Sequence, residues 1–338
     1  MLDKEQNIID IHDKDVLEMS PELLYTLLKD HTLSTEDKQV NIFWGTDNYA
    51  DKGKGYQYND QITPEAIIGD NRNVIIPRSL KAKTTQQQRS KEMAEVFTPS
   101  WICNKQNNLI DNEWFGREEV FNKEIDNQDG SHSWISTTAP VKFPEGKTWK
   151  DYVNENRMEI TCGEAPYLVS RYDTVTGEPI PVGERIGLLD RKLRVVSENT
   201  ETSGEWLEAA QKAYKSIYGY EWQGDNIVLA RENLLYTFVD YYKAKFGKDP
   251  ELRSLLYIAY IISWNIWQMD GLKGVIPNSC KEQTIQEGGL FDEPTTRKVQ
   301  CSGCRDNDIK HHNGKYALIK EWGAKKEKQK IRFIDLIK

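Results

Sequence analysis

Apolar residues recur along this chain at two spacings, every third or fourth position in some stretches and in short β-branched runs in others, and their order predicts the elements. Ser20 followed by Pro21, Glu22 and leucines at helical spacing predicts a helix over residues 21–31 with a serine N-cap. Residues 39–44 (QVNIFW) and 73–77 (NVIIP) predict short strands on either side of a Gly/Asn/Asp/Lys-rich loop at 45–60. A polar helix near residue 91 leads into Val96-Phe97-Thr98-Pro99, where proline interrupts it, and a new helix starts at Ser100. Residues 111–150, rich in Asn, Asp, Gly and Ser, predict extended loops and short strands anchored by Trp114 and Trp134.

The middle of the chain alternates more regularly. Residues 158–172 predict a strand, a tight turn at Cys162-Gly163-Glu164-Ala165 and a helix, followed by a Gly/Pro excursion at 172–183. Residues 186–196 combine a helix-like start with a β-branched end, and 205–216 form an amphipathic helix. A strand at 217–221 ends in Glu221. Helical spacing then covers 226–245 and 252–262, and residues 264–267 (WNIW) predict a third strand running on to Gln268 and Asp270. Strand, helix, strand, helix, strand implies an α/β fold with a parallel, doubly wound sheet. In such a sheet the polar strand ends at 162–165, 221 and 268–270 point at one crevice, where the turn and a helix N-terminus hold a small polar ligand. In nucleotide-type sites of this kind an acid placed like Glu221 accepts from ribose hydroxyls and residues placed like 268–270 reach a base edge. The pattern divides into an N-terminal α/β extension (1–88), a core (89–275) and a Cys/His-rich module with a terminal strand (276–338).

The 338 residues are 38% hydrophobic and 29% charged, with net charge -8 and mean hydropathy -0.70. Apolar runs, the longest at 255–262, fall short of the roughly 20 residues of a membrane span. The amino end carries acids where a signal peptide carries bases. Five cysteines, an odd number in a long chain, argue against a disulfide framework. Together these predict a cytoplasmic protein without a membrane partner. The net charge disfavours bulk coating of nucleic acid but leaves room for local basic faces. Two runs qualify, residues 78–89 and 320–332, although such runs are more often solvated surface than binding sites.

The Cys/His module offers Cys280, then Cys301 and Cys304 in a Cys-x-x-Cys turn, then His311 and His312. Soft ligands at this spacing suit tetrahedral structural zinc, which would give a loop-rich segment a reason to fold. The alternative is free thiols in a disordered loop, and the spacing does not choose between the two histidines. Cys103 and Cys162 read as buried packing residues.

Several motifs together resemble a family. Phe97-Thr98-Pro99 resembles the Phe-x-Thr-Pro motif of S-adenosylmethionine-dependent DNA methyltransferases that act on the amino group of adenine. Glu159-Ile160-Thr161-Cys162-Gly163-Glu164-Ala165 is similar to their Asp-Pro-Ala-Cys-Gly-Ser-Gly cofactor turn. Residues 217–221, with Asp225, Asn226, Ala230 and Arg231, look like their second motif, and residues 264–272 like their third. The likeness covers about residues 90–275, in the family's order, and is nearest to modification subunits of restriction-modification systems. It implies a Rossmann-like, doubly wound methyltransferase sheet. It further implies S-adenosylmethionine as cofactor, DNA as partner, Phe97, Thr98 and Pro99 against the methionine end, and Glu159 with Cys162, Gly163, Glu164 and Ala165 as the turn. Glu221 would hold the ribose and Asp270 the adenine.

The chain departs from that pattern in two places. Glu164 and Ala165 replace a hydroxyl residue and glycine, and Ala165 would crowd the ligand if the turn demands a positive φ. No Pro-Pro exists for the Asn/Asp-Pro-Pro-aromatic motif that holds the flipped base. The sheet is therefore expected to be incomplete, and methyl transfer to need a catalytic or restriction partner subunit. A degenerate methyltransferase fold serving as a non-catalytic DNA-binding scaffold is the competing expectation. Hydrolase and metalloprotease readings lack a Gly-x-Ser-x-Gly or His-Glu-x-x-His, and a nuclease would rest on Asp190 and Lys192 alone.

Overall fold

The structure, a computed structural model, describes residues 20–93, 95–96, 98–287 and 295–337. Helix α1 (Pro21–Leu28) starts as its sequence requires: the Ser20 hydroxyl accepts from the Glu22 N–H at 3.2 Å, and Leu23, Leu24, Leu27 and Leu28 are buried. It ends before residue 31 because Lys29 turns extended and bridges Asn41. The strand expected at 39–44 does not form a ladder. That segment is tied to several separate partners instead: Asp30 N donates to Val40 O (2.9 Å), Ile42 N to Leu28 O (2.8 Å) and Trp44 N to Asp60 O (3.1 Å). Residues 73–77 turn rather than pair, with Val74 N on Asn71 O at 2.9 Å. Then come α2 (Pro64–Ile67), α3 (Lys83–Met93) and α4 (Ser100–Phe115), the last beginning directly after Pro99. An antiparallel ribbon, β1 (Asn122–Asp126) with β2 (His132–Ser136), and α5 (Trp149–Asn154) complete this part.

The centre is a three-stranded parallel sheet of β3 (Arg157–Ile160), β4 (Ile217–Glu221) and β5 (Ile266–Gln268), in that spatial order. Helices α6 (Leu188–Glu198) and α7 (Ser203–Lys215) connect the first pair; α8 (Gly224–Phe246) and α9 (Leu252–Asn265) connect the second. Parallel pairing requires crossovers of this length. Three local expectations change. No helix follows the 162–165 turn, and residues 161–187 are irregular apart from a short 3-10 turn at Val182–Glu184. The Tyr167 and Leu168 carbonyls, which would carry that helix on, accept instead from Leu188 N and Leu189 N, at 2.8 Å each, while their N–H groups are bound by the Glu159 carboxylate at 3.4 and 3.2 Å. The β-branched end of 186–196 is helical, because burial of Val195 and Val196 in α6 outweighs their weak local preference. Trp264 and Asn265 finish α9 rather than start a strand; the Asn265 amide donates to Tyr214 O and Ile217 O, fixing the helix end to β4.

After β5 the chain forms the ribbon β6 (Gln283–Glu287) with β7 (Thr295–Val299), then α10 (Ser302–Asp306), then the hairpin β8 (Leu318–Lys320) with β9 (Lys330–Arg332). Alternation along the central strands decides what each face meets. Ile217 and Ile266 join the main core, which includes α1 and α6 to α9. Tyr220 and Trp267 point the other way and pack with Ala317, Ile319 and Phe333. One sheet face therefore carries helices and the other the C-terminal hairpin.

Residues 20–88 share the main core with the rest of the chain, and a buried cation secures them. The Arg231 guanidinium donates to Lys29 O (3.0 Å), Ser263 O (3.1 Å), Ile266 O (2.9 Å from Nε) and Leu27 O. It thus satisfies carbonyls at the ends of both α1 and α9. Burial lowers its pKa to about 10, with Asp30 opposing. Among the described residues no helix is long and apolar enough to cross a membrane.

Candidate ligand cleft and metal centre

A cleft of about 700 Å³ opens at the carboxyl ends of β3 and β4. Thr161, Cys162 and Gly163 form one wall with Pro166 and Tyr167, while Glu221, Trp222, Gln223 and Asn226 form another; Lys91, Glu95, Val96 and Thr98 close the far side. The turn is left-handed three times, at Thr161 (φ 49), Gly163 (φ 52) and Ala165 (φ 65). For the two non-glycine residues such backbone costs about 1–3 kcal/mol each, and strain of this kind gathers at functional sites.

Glu221 locks the turn to the neighbouring strand. One carboxylate oxygen accepts from Gly163 N at 3.0 Å, and the other from Trp222 N (2.8 Å) and Gln223 N (3.2 Å). Burial raises its pKa against those bonds. Burial likewise pushes Glu159 well above the usual carboxylate range, and the nearby Glu221 adds to it. Asn226 supplies an unfilled position: its Oδ1 is buried and, among the described residues, has no hydrogen-bond partner.

Thr98, Glu159, Cys162, Gly163 and Glu221 all line the cleft. The other expected cofactor residues that the structure describes do not line it. Ala165 adopts the positive φ, but it is fully buried in the core and does not line the cleft. Glu164 turns away, accepting from Tyr172 Oη (2.6 Å) and Arg78 N (2.7 Å). Pro99 precedes α4 as its N-cap. Asp270 is turned into its own loop, accepting from Leu272 N and Lys273 N and pairing with the Lys273 ammonium at 3.3 Å. Gln268 binds the backbone of Phe43 through both ends of its amide, at 3.0 and 2.8 Å. Phe97 lies outside the described residues.

Most of the cations in the basic run at 78–89 are paired inside the protein, and only Lys83 among them is exposed. Arg89 and Lys81 are buried on Asp225, at 2.9 and 3.6 Å, and Arg89 Nε donates to Glu95 at 2.7 Å. Tyr49 Oη donates to Asp225 at 2.7 Å. Burial works the other way, but Arg89 and Lys81 hold the Asp225 carboxyl below its ordinary range. Sequence reasoning missed this network and the cleft residues Gln223 and Lys91. Asp225 and Asn226, quoted only as part of a motif, were the available signal.

The metal centre is assembled by short range alone. Ligand atoms of Cys280, Cys301, Cys304 and His312 all lie within 4.8 Å of one another, with His312 Nδ1 at 3.6, 3.8 and 3.6 Å from the three sulfurs. Three thiols and one imidazole at these separations can hold a metal ion such as zinc in tetrahedral geometry. Gly303 is needed where it stands, because a Cβ there would meet His312 N at 2.6 Å. The Cys301 thiol is pulled down to about 6; burial opposes this, and the Asn313 N–H, 3.1 Å from its sulfur, is the leading cause. Tyr316 Oη accepts from His312 N at 2.8 Å and steadies the histidine. His311 is excluded from the cluster: its ring is exposed and bonded to Asp308 at 2.7 Å. Cys103 and Cys162 are buried, as their sequence context suggests, with thiol pKa values raised by burial.

No protein-family model, no curated protein and no solved structure matches this chain.

Proposed function

We propose that the chain is an S-adenosylmethionine-binding protein resembling adenine-specific DNA methyltransferases of restriction-modification or phage-defence systems, and that methyl transfer needs a partner subunit. The observation that carries this reading is the cleft at the carboxyl ends of two parallel strands, lined by Glu221 and by Asn226, whose buried Oδ1 has no hydrogen-bond partner among the described residues. Its volume falls in the roughly 300–1,000 Å³ range of small-molecule sites. A Rossmann-like ancestry accounts for the strand order and for the motif order from Thr98 to Glu221. Glu221 and Asn226 would accept from the hydroxyls and amino group of the nucleoside, and Gly163 would let it approach. When bound, the cofactor supplies an electrophilic methyl group for the adenine amino nitrogen. The partner supplies the Pro-Pro-aromatic segment, and among the described residues β3 pairs on one side only. Zinc in the Cys280, Cys301, Cys304 and His312 group is structural, and the reduced thiols fit a cytoplasmic setting.

Titrating S-adenosylmethionine into the zinc-loaded full-length chain tests the reading. Micromolar binding, about -8 kcal/mol, is the expected result, with Glu221→Ala and Asn226→Leu each weakening it about tenfold or more. Absence of binding by a folded chain would sink it. A second reading, a DNA-binding scaffold on a degenerate methyltransferase fold, is favoured by one feature: Glu159 and Glu221 already occupy turn N–H groups that a cofactor would otherwise use.

A further inference from the structure

The two basic runs of this sequence end in opposite places. The one at 78–89 is neutralised inside the protein by Asp225 and Glu95, as described above. The one at 320–332 is not. It holds six Lys/Arg against two Glu in a chain of net charge -8, and it forms the β8–β9 hairpin with Lys325, Lys326 and Lys328 exposed in the connecting loop. Among the described residues none of its lysines is ion-paired; Arg332 alone has a carboxylate, Asp335 at 2.7 Å.

The base of the hairpin is built on aromatic rings. Lys320 Nζ lies 4.4 Å from the Trp322 ring centre and 4.8 Å from that of Tyr260, and donates to Tyr260 Oη at 2.7 Å. Lys215, from α7, sits 5.2 Å from Tyr257 and 5.4 Å from Trp322, and Lys330 lies 5.7 Å from Trp264. Trp322 Nε1 donates to Asn265 Oδ1 at 2.9 Å, which pins the hairpin to the end of α9. Ring faces orient an ammonium group without cancelling its charge. Three cations are therefore held over rings, with three exposed ones beside them.

We propose that this hairpin face binds the phosphate backbone of duplex DNA. Ammonium groups are point-charge partners for phosphates. Trp264 is buried, Tyr260 and Trp322 are half-buried, and the more exposed Tyr257 has Lys215 over its ring, so the rings offer little platform for stacking an unpaired base, which favours a duplex and sequence-independent contact. The assignment takes DNA as partner from the function proposed above but needs no cofactor, so the two fail separately.

Fluorescence anisotropy of a labelled duplex with the zinc-loaded full-length chain, in a salt series without S-adenosylmethionine, tests it. Replacing Lys325, Lys326 and Lys328 with Gln should weaken binding about tenfold at low salt and reduce the slope of log K against log salt by about 2.7, near 0.9 per lost phosphate contact. The same change at exposed Lys38, Lys52 and Lys54 should leave affinity within about twofold if the site is local. The proposal is overturned if the wild-type chain does not bind the duplex, if both triple variants lose affinity equally, if single-stranded DNA binds more tightly than the duplex, or if polyglutamate displaces the duplex at equal charge.

Discussion

The cleft and the metal centre solve the same problem, holding polar groups at fixed positions, with opposite materials. Around the cleft, Arg89, Asp225, Glu95 and Glu221 are buried and fixed by partners far away in the sequence, so their geometry follows from the packing of the whole core. At the metal centre four ligands come from within 33 residues, and apart from Cys301 few of their neighbours belong to a core. The first site is preorganised by tertiary structure. The second depends on its ligand.

The sharpest way to separate them is to remove one ligand. With Cys304→Ser, zinc content should fall from one per chain to nearly none and amides across 295–316 should lose hydrogen-exchange protection, while those of β3 and β4 keep it. Structural zinc is worth about 10–16 kcal/mol in small modules. Loss of protection in both regions would merge the two sites into one unit. The converse change is Asp225→Ala, which leaves Arg89 with Glu95 alone and buried Lys81 without its carboxylate, and should cost about 3–5 kcal/mol in urea unfolding. Zinc content should stay at one per chain.

A smaller effect comes from pH. Burial holds the Glu159 carboxyl well above its ordinary value of 4.5, so the fold favours the protonated form. Its contribution is complete below that ordinary value and is lost as pH rises through the raised one. Glu159→Gln keeps an acceptor for Tyr167 and Leu168, so as pH rises above 4.5 its stability should decline less than that of the wild type. An equal or steeper decline would show that Glu159 is ionised at little cost. The smallest effect is at the metal centre: His311→Ala should leave zinc content unchanged, whereas His312→Ala should abolish it. The reverse pattern would move the fourth ligand to His311.

What could be read from the sequence follows the same division. The Cys280, Cys301 and Cys304 spacing announced the metal centre because its ligands are local; choosing between adjacent histidines needed the ring directions, which the Asp308 bond and the Tyr316 hydroxyl set. The three parallel strands and their helical crossovers were legible from apolar spacing, and Glu221 from its place at a strand end. The missing helix after Gly163 was not, because the carbonyls that would carry it on, those of Tyr167 and Leu168, are taken by the N–H groups of Leu188 and Leu189, a pairing set by tertiary packing. Nor was the fate of residues 78–89. Basic side chains look solvated until the acid that neutralises them, Asp225, arrives from the start of a helix over 130 residues later.

The amide of Gln268 also bears on how the chain could be divided. By bonding both N–H and C=O of Phe43 at the free edge of β5, it lets the segment before residue 62 act as a surrogate fourth strand, while Tyr58 Oη holds the Trp222 indole of the cleft wall at 2.7 Å. An expression fragment starting at residue 89 would expose that edge, release the indole and leave Arg231 without the α1 carbonyls. Such a fragment would be prone to self-association through β5, and a ligand assay on it would report on a damaged pocket.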